Sequence, residues 1–144
     1  SRRQRQMCIR DRIDNLSDQK NNLQDQIADL NTKIHYLGQY HVNKKYFSSM
    51  LKSDNKADYR KTHSDKIAQY DEARNFLKSV YPDSDYPDLN QLKNQRKQIL
   101  TDYKSLNSDI HDLYKQNQKL KIVSHNSQEL LSHKQVISRE NLHL

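Results

Sequence analysis

Between Tyr40 and Tyr70 the chain carries Lys44, Lys45, Lys52, Lys56, Arg60, Lys61 and Lys66 against only Asp54, Asp58 and Asp65. Tyr46, Phe47 and Tyr59 are interleaved with these cations. Basic side chains release counterions from phosphates and aromatic faces stack on bases, so this span has the composition of a DNA contact surface. The same residues fit a plainer description, in which the rings are core and the lysines a solvated helix face. From the residues alone the plainer description is preferred.

No other residue set reaches the geometry that chemistry needs. A nucleophile requires a base within hydrogen-bonding reach and a group that orients the base. Ser, His and Asp are plentiful, but none falls in a strand-turn-helix elbow or beside a Gly-rich turn. Helical metal ligands usually sit four residues apart, whereas His35 and His41 are six apart and His125 and His133 eight apart. A lone Gly38 cannot form a phosphate loop. The sequence therefore predicts no catalytic residue, no cofactor and no metal, and the chain by itself reads as no enzyme.

These residues must be positioned by helices. Ile13, Leu16, Lys20, Leu23, Ile27, Leu30, Ile34, Leu37 and His41 follow at alternating spacings of three and four. That is a heptad seam, a narrow apolar stripe that requires another helix to cover it. A second seam runs Leu89, Leu92, Arg96, Ile99, Tyr103, Leu106, Ile110, Leu113, Asn117, Leu120 and Ser124. Between them, Tyr59, His63, Ile67, Tyr70, Ala73 (or Arg74) and Leu77 give a shorter helix its buried face. Lys52 to Lys56 reads as a break with Ser53, Asp54 or Asn55 as cap, and Tyr81 to Asp88, with two Pro, as a linker.

The expected fold is all-α: an elongated antiparallel coiled-coil hairpin of two long helices with a shorter middle helix. The helices are expected at about 13–52, 56–80 and 88–131, in a domain spanning 13–131, with 132–144 a frayed tail. Lys20 and Asn117, the polar interruptions of the two seams, are expected within about a turn of each other, where they would set register.

Composition agrees with helices and a thin core. One Gly and two Pro in 144 residues argue against a turn-rich β protein, and 33% hydrophobic residues fill a seam but not a thick interior. No run approaches a membrane span and no signal peptide is visible, so membrane insertion is not expected. The single Cys8 rules out an internal disulfide framework and makes a reducing, cytoplasmic setting the default.

Of the net charge of +7, residues 1–12 supply +4, from five Arg and one Asp. Residues 5–12 resemble translated sequencing-adapter sequence, and 1–12 are set apart as a foreign or disordered segment. The competing readings are a basic arm for DNA, or a basic zipper in which an Arg-rich start leads into Ile and Leu heptads. A homodimer is possible but not favoured, because the second seam offers a partner within the chain.

From about Ile13 to Leu131 the chain resembles the C-terminal helical region of relaxases, the mobilisation nucleases of plasmids and integrative elements. The marks are Ile34-His-Tyr-Leu37 followed by Tyr40, then Tyr59, His63 and Ile67 at four-residue spacing. Ala73 with Phe76 and Leu77 follow, then the Tyr86-Pro87 joint opening a helix with Leu92. Tyr103 and the segment Leu120 to Asn126, with Leu130 and Leu131, close the pattern. The family's His-hydrophobic-His metal motif and nucleophilic Tyr are absent from these residues. The resemblance implies the non-catalytic arm of a bacterial DNA-nicking and strand-transfer protein, with DNA, relaxosome proteins or type IV secretion proteins as partners. The alternative is a generic coiled-coil scaffold or oligomerisation module without a nucleic-acid role.

Overall fold

A computed structural model describes the backbone of residues 1–142 and the side chains of residues 1–122. The described residues are all-α, as expected, in four helices: α1 (Arg2–Lys52), α2 (Lys56–Thr62), α3 (Ser64–Val80) and α4 (Leu89–Leu142). The chain divides into two compact units, one of residues 1–22 with α4 from Asp102 onward, the other of residues 23–101.

In the first unit, Ile13 packs with Ile110 and Leu113, flanked by Ile9 and Leu16. Two helices meet here along one seam, so few side chains are fully enclosed. Lys20 lies opposite Asn107 and Tyr103, which makes the pair antiparallel. The two polar interruptions of the seams do not meet as expected. Lys20 donates to Asn107 Oδ1 at 3.0 Å, while Asn117 borders a crevice with Arg10, Ile13 and Asp14. A heptad pattern repeats every seven residues, so it fixes which face is buried but leaves the register open.

In the second unit a third helix joins. Leu30 and Leu37 of α1, Leu77 of α3 and Leu92 of α4 form one cluster, with Ile34, Tyr40, Phe76 and Leu89 against it. Leu37, Ile67 and Leu77 are fully buried, each worth about 1.5–3 kcal/mol of transfer free energy. The stripe of α1 moves here: His41, expected on the seam, is exposed, while Asn43 and Met50 are buried. On this part of α1 the partner is α3: Asn43 donates to Gln69 and Phe47 stacks on Tyr70.

Helix ends follow local chemistry. Asn55 caps α2, its side chain accepting from the Asp58 N–H at 3.0 Å. The expected 56–80 helix is broken at His63, whose φ of −113° and ψ of 34° are not helical. Both its backbone N–H and its ring Nδ1 lie against the Tyr59 carbonyl, and α2 buries no residue that would hold it in line with α3. The linker between Val80 and Leu89 turns at Ser84, with φ at 59° and its N–H donating to the Tyr81 carbonyl.

The described backbone is helical close to both ends. The segment 1–12, expected to be disordered if not foreign, is helical from Arg2, with Ile9 continuing the seam's spacing onto Ile13. The backbone of α4 continues past Leu131 to Leu142, through residues that include neither Gly nor Pro to stop it. Residues 143–144 of the expected tail, and the side chain of Ser124 on the second seam, lie outside what is described.

Candidate nucleic-acid interface

The basic residues of the Tyr40–Tyr70 span sit on three short stretches of one unit: the end of α1, all of α2 and the start of α3. Lys44, Lys45, Lys52, Lys56, Arg60, Lys61 and Lys66 are all exposed. On α1 and α3 the opposite side of the helix is committed to packing. Asn43, Phe47 and Met50 of α1 face inward, as do Ile67, Tyr70 and Ala73 of α3. The cations are therefore the polar side of an amphipathic arrangement.

Their surroundings differ. Arg60 donates from a guanidinium nitrogen to Asp71 Oδ2 at 3.2 Å, with the Arg60 side chain exposed and that of Asp71 partly so. Asp71 lies just beyond the span whose charges the sequence weighs, and it offsets one of the seven. Lys44 stands over the Tyr40 ring at 5.7 Å and Lys45 over Tyr46 at 5.2 Å. Among the described residues no ion pair involves Lys52, Lys56, Lys61 or Lys66.

The aromatic half of the expected surface is used inside the protein. Phe47 stacks on Tyr70 with centroids 4.6 Å apart and takes the Arg74 guanidinium over its ring. Tyr59 stacks on His63 at 4.2 Å, and Tyr46 lies against the same imidazole at 5.6 Å. All three rings are half-buried. Base stacking would need a free face, and these rings already have protein partners. What the span offers a ligand is charge.

One polar feature of this unit is not singled out by the sequence reading. Asn43 is fully buried, its amide nitrogen donating to Gln39 Oε1 at 3.1 Å and Gln69 Oε1 at 3.2 Å, so it ties α1 to α3. Its Oδ1 finds no partner among the described residues. The signal was the spacing: Tyr40, Asn43, Phe47 and Met50 continue in threes and fours.

No three of the described His, Cys, Asp and Glu residues gather closely enough to hold a metal ion. No helix among the described residues is long and apolar enough to cross a membrane. Compared with family models, curated proteins and solved structures, the chain matches none.

Proposed function

We propose that the chain is the non-catalytic C-terminal helical arm of a conjugative relaxase, acting in the bacterial cytoplasm in plasmid or integrative-element mobilisation. In this reading the arm grips DNA by phosphate contacts alone, through Lys44, Lys45, Lys52, Lys56, Lys61 and Lys66, with Arg60 shared with Asp71. One observation carries the DNA contact: these lysines are exposed on helices of a single unit, with few carboxylates among them. The relaxase assignment rests on the resemblance of residues 13–131. Relaxosome or type IV secretion proteins are further partners of such an arm.

The first experiment is a salt series of binding to duplex DNA. Affinity should fall steeply with salt. Changing Lys44, Lys45, Arg60 and Lys61 to Ala should flatten the slope by about 0.9 for each phosphate that is no longer neutralised. Binding that survives those changes but vanishes when residues 1–12 are removed assigns the affinity to the Arg-rich start instead. The second is recovery of the upstream reading frame, which should encode the family's metal motif and nucleophilic Tyr. A frame without them sinks the relaxase assignment.

The scaffold reading draws support from a specific observation, the use of Tyr46, Phe47 and Tyr59 in internal stacking. It expects no saturable DNA binding at physiological salt.

A further inference from the structure

We propose that the unit built from the start of α1 and the α4 segment from Asp102 carries a second, separate site that binds a phosphate group. Lys20 is its anchor. It occupies a seam position where an apolar side chain would pack, a placement that lowers stability. Its stem is half-buried, and its ammonium donates to Asn107 Oδ1 at 3.0 Å and lies 5.4 Å from the centre of the Tyr103 ring. Both partners are neutral, so the charge is oriented without being cancelled. An ammonium has three donors, which leaves capacity for a ligand oxygen.

This ammonium borders an open surface cleft of about 480 Å³. Lys104, Asn107, Ser108 and His111 line it from α4, at spacings that put all four on one helix face. Tyr114, half its surface exposed, also lines the cleft. Among the described residues no carboxylate lines the cleft, although α4 carries Asp102, Asp109 and Asp112 nearby in sequence. Two ammonium groups, a hydroxyl, an amide and an imidazole, with no acid among them, form a donor set for an oxyanion. A phosphate between Lys20 and Lys104 would exchange the neutral partnership of Lys20 for a charge-assisted one. The phosphate can be free or part of a nucleic-acid backbone, and the chemistry of the cleft is the same for both.

The test uses the full chain, isotopically labelled, titrated with inorganic phosphate at constant ionic strength against chloride. Saturable amide shifts are expected at Asn107, Ser108 and His111. Lys20→Met, which restores an apolar seam residue, should weaken binding about tenfold or more, and Lys104→Gln by a similar factor. If Lys20→Met perturbs folding, Lys104→Gln and Ser108→Ala stand in, because both positions are exposed. A parallel titration with a short oligothymidylate separates the sources. Saturation by the oligonucleotide alone identifies a backbone diester, and saturation by inorganic phosphate alone a free phosphate. Shifts that stay linear, spread evenly over exposed lysines including Lys44 and Lys61, or persist unchanged in Lys104→Gln would overturn the proposal.

Discussion

Tyr70 stacks on Tyr40 with ring centroids 5.2 Å apart and planes 19° from parallel. Burial, reinforced by the neighbouring Tyr40 hydroxyl, pushes the Tyr70 phenol up to about 12 from its ordinary 10.0. The folded state thus holds this proton more tightly than the unfolded chain does. The resulting stabilisation is complete below pH 10 and is lost as the pH rises from 10 towards 12. Denaturant titrations across that window should show falling stability, and Tyr70→Phe should flatten the fall. An equally steep fall in Tyr70→Phe would show that other groups cause it.

Packing and charge in the Tyr40–Tyr70 span should separate under mutation. Phe47→Ala removes a half-buried ring stacked on Tyr70 and should cost about 1–3 kcal/mol. Lys52→Ala and Lys61→Ala touch only exposed positions and should change stability by no more than about 0.5 kcal/mol. Chemical denaturation measures both. A negligible effect of Phe47→Ala would return that ring to the set of candidate base-stacking groups.

Asn117 is 6% exposed with its Oδ1 unpaired among the described residues, beside a crevice of about 310 Å³. An unpartnered buried carbonyl costs about 1–3 kcal/mol, and the crevice gives a longer apolar side chain room. Asn117→Leu is therefore expected to raise the denaturation midpoint. A lower midpoint would mean that the carbonyl is satisfied in solution, for example by an ordered water.

Gly38 is the one glycine and lies inside α1, where an added Cβ would meet no atom within 4 Å. Gly38→Ala should stabilise by about 0.5–1 kcal/mol, because alanine loses less backbone freedom on entering a helix. Thermal unfolding checks this. No gain would point to a need for the glycine that packing does not reveal.

The seams were readable because burial on a helix repeats with its turn. The second seam's positions from Leu89 to Leu120 are all buried or half-buried. What spacing could not foresee depends on which partner each turn meets. His41 keeps the heptad rhythm yet is exposed, while Asn43, two residues on, is buried and bonded to Gln69 of α3. The break at His63 was hidden because Tyr59, His63 and Ile67 stay in helical step on both sides of it. In the candidate interface the cations were legible, because polar residues on an amphipathic helix face outward. The fate of the rings was not: a half-buried Tyr or Phe has the same spacing whether it stacks on a neighbour or awaits a ligand.

Of the nine tyrosines, seven lie in residues 23–101 and only Tyr103 and Tyr114 outside it, and there is no tryptophan. The stacked rings thus give one unit an optical signature that the other almost lacks. Near-ultraviolet ellipticity reports mainly the unit of residues 23–101, whereas far-ultraviolet ellipticity reports helix everywhere. Comparing the two signals during melting reads out, without any label, whether the thin two-helix seam and the aromatic core come apart together.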